Sequence, residues 1–158
     1  LARDIPLERG DTTSGRAALD QARERLATKV SVMIFPEGTR SKTGEMRKFR
    51  AGAFKLAIEG QHPILPIAVH GTRDCLRKND WRLGRATAEV RVLEPISTEG
   101  MTNDDLPALR AQVSAAIEAG RQALRDEHGY VPPVYPAAEA LSAEARDAQA
   151  SGSYKDPN

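Results

Sequence analysis

A chain of 158 residues falls within the size of one domain, and 23 Lys and Arg against 22 Asp and Glu leave a formal charge of +1. That balance argues against a protein that grips nucleic acid through overall charge, so any basic surface must be local. The single cysteine, Cys75, excludes an internal disulfide and fits a reducing compartment, which points to the cytoplasm.

The longest apolar runs, Val30 to Phe35 and Ile64 to Val69, are far shorter than the roughly 20 residues a membrane-spanning helix needs. The opening Leu1-Ala2-Arg3-Asp4-Ile5 has no apolar segment of a secretory signal. It also lacks Met, so the chain is expected to be cut from a longer protein, with processing or an unusual start codon as the alternatives.

Taken in chain order, Ala18, Leu19, Ala22 and Leu26 recur at spacings of three and four, which predicts an amphipathic helix from Ser14 to Thr28. Thr12, Thr13 and Ser14 offer hydroxyls to cap its start. Val30 to Phe35 is rich in β-branched and large apolar residues and is stopped by Pro36, the pattern of a buried strand. A short helix is predicted over about Ala51 to Glu59, with Phe54, Ala57 and Ile58 on one side and Gly60 at its end.

Ile64 to Val69 reads as a second buried strand, placed at an edge or strand end by Pro66, which lacks a backbone donor. Ala86 to Leu93 alternates, with Ala88, Val90 and Val92 on one side and Glu89 and Arg91 on the other, a half-exposed strand. From about Asp104 to Asp126 a long helix gathers Leu106, Leu109, Val113, Ile117 and Leu124 near one face, and Pro107 is tolerated in its first turn. Residues 129–158, rich in Pro and Ala, are expected to be a tail, with a weak helical pattern at Pro136 to Ala150. Helix, strand, helix, strand, strand, helix makes an α/β domain whose sheet is covered by helices.

Chemistry concentrates where the chain leaves the first strand, at Phe35-Pro36-Glu37-Gly38-Thr39-Arg40-Ser41. Gly38 lets the backbone turn, and Glu37 beside Arg40 sets an acceptor next to a planar cation suited to phosphate. Such a turn can orient a phosphorylated alcohol. It can equally be a strand-end turn with a surface ion pair. From Arg40 to Arg50, five cations (Arg40, Lys42, Arg47, Lys48, Arg50) face one acid, Glu45, a local charge of +4 that fits either a lipid-facing patch or a solvated loop. A second basic loop surrounds Trp81 with Arg73, Arg77, Lys78, Arg82 and Arg85 and suits an anionic surface or phosphate groups, while Trp81 suits packing equally well.

The segment Phe35 to Ser41 resembles the third block of the glycerolipid acyltransferases, and Phe49 to Ile58 resembles the stretch that follows it. Ile64-Leu65-Pro66-Ile67-Ala68 is similar to the fourth block, and Ile5-Pro6-Leu7-Glu8-Arg9 stands in the place of the second, where the family more often reads Phe-Ile-Asp-Arg. The chain is thereby identified as similar to the 1-acyl-sn-glycerol-3-phosphate acyltransferases over roughly Ile5 to Ile96. The resemblance implies an α/β glycerol-3-phosphate acyltransferase-like domain over residues 1–128, N-terminally truncated.

The first block of that family, His followed by four residues and Asp, is not in this sequence: five positions after His62, His70 and His128 stand Ile67, Cys75 and Pro133. His70 and Asp74 are one residue too close and lie after the third block, so both are expected to be structural or loop residues.

By resemblance, the base is a His/Asp pair upstream of residue 1, and no residue of this chain is catalytic. It activates the free hydroxyl of lysophosphatidic acid against an acyl thioester carried by coenzyme A or acyl carrier protein. Glu37 and Arg40 would bind the glycerol phosphate, Arg9 would add a second positive group, and Gly38 and Thr39 would shape the turn. The resemblance implies no metal and no cofactor, and a place at the cytoplasmic face of a membrane. A non-catalytic lipid- or phosphate-binding module, a fusion to a phosphatase-like domain and an acyltransferase for another lysolipid stay open.

Overall fold

A computed structural model describes residues 4–7, 12–41, 44–75, 86–127 and 129. The tail from 130 onward, Arg9, Lys42, His128 and the loop around Trp81 lie outside the described residues. Helix α1 runs Thr12–Ala27, starting two residues before the periodicity predicts. Ala22 is buried, with Ala18, Leu19 and Leu26 half-buried beside it. The helix closes in a Schellman pattern, Lys29 N–H donating to Leu26 O and Val30 N–H to Arg25 O, which puts Lys29 in the left-handed region at φ 61°.

The same closure ends α2, Gly52–Glu59, where Gln61 N–H reaches Ile58 O and His62 N–H reaches Ala57 O. Gly60 caps this helix as expected, yet Gln61 rather than the glycine takes the positive φ of 50°. The glycine is needed for space, because a Cβ there would lie 2.4 Å from the His62 ring. Gln61 offsets its own strain with its side-chain amide, donating to Ile58 O and Met101 O and accepting from Gly100 N–H.

Strand β1, Ile67–His70, is followed by a single helical turn, α3, Thr72–Cys75. It pairs antiparallel with β2, Glu89–Val92, in the register Ile67 to Val92 and Val69 to Val90. The pairing continues as Leu93 N–H to Pro66 O and as a bridge between Ile64 and Ile96, so Pro66 accepts where it cannot donate. The ladder therefore spans the predicted 64–69 strand, although Leu65 is exposed.

After a 3-10 turn at Asn103–Asp105 comes α4, Leu106–Glu127. It lies against the Ala68 side of the ladder, and Gly120 marks the closest approach: a Cβ there would stand 3.0 Å from both Ala68 Cβ and Leu93 Cδ2. Arg91, on this side, pairs with Glu127 of α4. The alternation predicted for β2 holds, but its apolar side is the open one, with Val90 63% and Val92 60% exposed. Helix α4 covers one side of the ladder only.

The predicted strand Val30 to Phe35 does not form. Among the described residues no ladder hydrogen bond joins 31–35 to another segment, and Met33 and Phe35 are 71% and 76% exposed. Propensity supplies side chains that suit a sheet, whereas a strand exists only where a neighbour takes its backbone groups, and here β1 and β2 pair with each other.

The core sits instead between the 46–58 segment and α4. Phe49, Phe54, Ile58, Leu109 and Val113 form it, with Met46, Ile64, Ile96 and Leu106 packed around, and the Phe49 and Phe54 rings stack at 6.2 Å. Thr98, 1% exposed, ties the ladder side to α2 by donating its hydroxyl to His62 O at 2.8 Å and Ala57 O at 3.3 Å.

Thr98→Val keeps the shape and takes the hydroxyl from the half-buried His62 carbonyl, while Ala57 O keeps its bond from His62 N–H, so chemical denaturation is expected to read a loss of about 1–3 kcal/mol. At the start of α4, Asp105 accepts from Thr102 N–H at 2.7 Å and from its hydroxyl at 3.0 Å, which hold the Asp105 carboxyl below the ordinary range. Its contribution is present above the unfolded carboxylate pKa and lost as pH falls through the depressed folded value. Asp105→Asn should lower the melting temperature at neutral pH, with the gap to the parent closing below about pH 4.

Candidate functional site

The segment 35–41 is a tight turn, closed by Gly38 N–H donating to Phe35 O at 3.1 Å, with Gly38 at φ 71°. A residue other than glycine in that region costs roughly 1–2 kcal/mol. Two bonds then fold the following chain back onto the turn. Arg50 N–H donates to Pro36 O at 2.8 Å, and Arg47 N–H donates to Glu37 Oε2 at 3.1 Å. Residues 36–50 thus form a loop with a hydrogen-bonded stem, and buried Phe49 plugs the stem into the core.

The far end of the loop is held from α4. Ser41 Oγ accepts from Gly44 N–H, and Arg121 Nη2 donates to Gly44 O at 2.9 Å across 77 residues of sequence. Glu118 Oε2 accepts from Arg121 Nη1 at 2.9 Å, and its Oε1 lies 3.5 Å from Arg125 Nη1, which fixes the guanidinium that grips the loop.

Glu37 and Arg40 are brought to one turn but make no ion pair with each other. The expected side-by-side arrangement is replaced by a division of labour. The half-buried Glu37 carboxylate spends one oxygen on a backbone N–H, which locks the loop, while Arg40 stands exposed. A guanidinium already bound to a carboxylate has given up much of its attraction for another anion, so Arg40, which has no ion-pair partner among the described residues, is the better anion ligand. Arg47, Lys48 and Arg50 are exposed as well, and among the described residues none has an ion-pair partner. Thr39 is half-buried and hydrogen-bonded, and Arg9 lies outside the described residues.

The residue most easily overlooked in the sequence is Arg50. A Cβ built on Gly38 would lie 2.6 Å from Arg50 Nε, so the arginine side chain lies on the bare face of the glycine.

The described histidines occupy structural positions. His62 has its ring over Gly60 and its carbonyl on Thr98, and His70 sits in the ladder opposite Glu89. The side chain of Asp74 lies outside the described residues. Among those residues no three His, Cys, Asp or Glu side chains gather as metal ligands, and no helix is long and apolar enough to cross a membrane.

A groove of about 330 Å³ lies elsewhere, between α1 and α2, lined among others by Leu19, Leu56, Arg23 and Glu59. Arg23 bridges Asp20 at 2.6 Å and Glu59 at 2.9 Å across its wall, and holds the Glu59 carboxyl below its usual range. Its charges are largely satisfied internally, so this groove reads as a helix seam and the turn as the site.

Glu37→Ala removes the acceptor for Arg47 N–H and leaves the helices untouched. Hydrogen exchange should be faster at the Arg47 and Arg50 amides and unchanged in α4. Equal protection in parent and variant would show that the carboxylate does not hold the stem.

Comparison with known proteins follows the same segment. The Acyltransferase family model matches residues 1–70. Human 1-acyl-sn-glycerol-3-phosphate acyltransferase alpha is 40% identical over 114 residues, covering 72% of this chain and 40% of that protein. The 1-acyl-sn-glycerol-3-phosphate acyltransferase of Haemophilus influenzae is 30% identical over 116 residues, 73% of this chain and 48% of that one. The crystal structure of the lysophosphatidic acid acyltransferase PlsC from Thermotoga maritima superposes with a TM-score of 0.63 at 29% identity, over 70% of this chain and 46% of that one. The chain spans less than half the length of these relatives.

Proposed function

Because this chain belongs to the acyltransferase family, we propose that it forms the phosphate-binding part of an enzyme that acylates 1-acyl-glycerol 3-phosphate to phosphatidic acid. The reading rests on one observation: a turn locked by Glu37 carries the exposed guanidinium of Arg40, which has no ion-pair partner among the described residues. Arg40 takes the phosphate oxygens, in a bidentate manner that a guanidinium suits. Gly38 and Thr39 set the turn, Arg9 adds a second cation, and Glu37 acts on the loop rather than on the substrate.

In the reaction, the free hydroxyl of the acceptor attacks the carbonyl of an acyl thioester, from coenzyme A or acyl carrier protein. The new ester C–O bond forms, the C–S bond breaks, the hydroxyl proton passes to a base, and the thiol departs. The base that the family resemblance implies, a His-x4-Asp pair, is not spelled by these 158 residues. In this proposal the pair comes from outside them, and this chain contributes position alone. The cations Arg40, Arg47, Lys48 and Arg50 also face outward together on one loop, which fits contact with an anionic membrane surface at about 1 kcal/mol per basic residue. Such a surface on the cytoplasmic side would deliver the lipid acceptor directly to the turn.

Acyl transfer by the full-length protein, followed by release of free thiol, tests the reading. With lysophosphatidic acid as acceptor, Arg40→Ala is expected to raise KM about 10- to 100-fold, the cost of a lost charge-assisted hydrogen bond, with a smaller change in kcat. Turnover of monoacylglycerol as good as that of lysophosphatidic acid would overturn the phosphate assignment. Binding of the phospholipid without any transfer would favour the non-catalytic module.

A further inference from the structure

We propose that Arg50 is a further phosphate-binding guanidinium of this site, beyond Arg40 and Arg9, laid across Gly38 so that it closes over the same anion as Arg40. The inference rests on the acyltransferase reading given above and adds a residue to it. Three observations carry it.

The first is contact. A Cβ on Gly38 would lie 2.6 Å from Arg50 Nε, 3.1 Å from Cδ and 3.2 Å from Cζ, so the guanidinium end of Arg50 rests on the turn itself, twelve residues away in sequence. The positive φ favours glycine at 38, and the bare face it leaves is where the arginine side chain lies.

The second is anchoring. Arg50 N–H is bonded to Pro36 O, the preceding Phe49 is 4% exposed in the core, and α2 begins two residues later. The root of the side chain is therefore fixed, and less ordering entropy stands against the bonds it makes than for a cation on a free loop.

The third is charge. Glu37 is the acid of the turn, and one of its oxygens accepts from Arg47 N–H rather than from Arg50. Among the described residues Arg50 has no ion-pair partner, which leaves its five N–H donors for a ligand. A guanidinium held against a backbone turn with no carboxylate of its own is suited to a dianionic phosphomonoester, and two such groups match its charge.

Binding separates this from the preceding reading. The full-length protein would be titrated calorimetrically with 1-hexanoylglycerol 3-phosphate, a soluble lysophosphatidic acid, and with 1-hexanoylglycerol, which lacks the phosphate. Arg50→Ala is expected to weaken binding of the phosphate compound by about tenfold or more, with Arg50→Lys recovering part of the loss and the glycerol compound unaffected. Arg50→Gln, which keeps the side chain over Gly38 as far as the position of Nε without the charge, serves if Arg50→Ala does not fold. If Arg40→Ala abolishes phosphate-dependent binding and the Arg50 variants stay within about twofold of the parent, the inference is overturned and the reading beneath it stands. If the parent does not distinguish the two compounds, both fall together.

Discussion

One carboxylate oxygen accepting one backbone N–H, Glu37 Oε2 from Arg47, determines what the rest of the site can do. It draws residue 47 back to the turn, and with the Arg50 to Pro36 bond it makes a stem within which Phe49 enters the core against Phe54. The same bond commits the local acid to the backbone. Had Glu37 closed on Arg40 instead, the turn would hold a neutral pair with little attraction for phosphate. The acid thus stabilises shape, and the cations keep their charge for a ligand.

Helix α4 joins the stability of the domain to the geometry of the loop. Its Leu109 and Val113 are buried in the core, and about two to three turns further on its Arg121 reaches the Gly44 carbonyl at the loop's far end. The helix fixed by hydrophobic burial therefore also sets where the loop tip lies. Glu118, bonded to Arg121 and close to Arg125, keeps that reach in one orientation.

Periodicity made α1, α2 and α4 legible to within a few residues, because their apolar faces are set by local spacing and each face is buried where it falls. The strands Ile64 to Val69 and Ala86 to Leu93 were legible from composition, Pro66 and alternation, but neither their pairing nor the exposed side of β2 was, since alternation marks two sides without saying what each one meets. Val30 to Phe35 misled for a related reason: its composition suits a sheet, and composition carries no information about a neighbour. At the site, the residues of the turn stood out by type, whereas the partner of Glu37, the place of Arg50 over Gly38 and the hold of Arg121 on Gly44 depend on chain folding over 10, 12 and 77 positions. No local pattern encodes such contacts.

The open hexapeptide Val30 to Phe35 has a consequence of its own. It contains no charge, no proline and no glycine, and residues 31–35 have no ladder partner among the described residues. Side chains of this type on unpaired backbone are the composition of dry cross-β zippers, and the usual gatekeepers, a lysine or a proline within the run, are missing. Lys29 and Pro36 stand just outside, one at each end, and limit how far such stacking could propagate. A neighbouring strand that took up the backbone groups of this stretch would therefore also protect it against fibril growth.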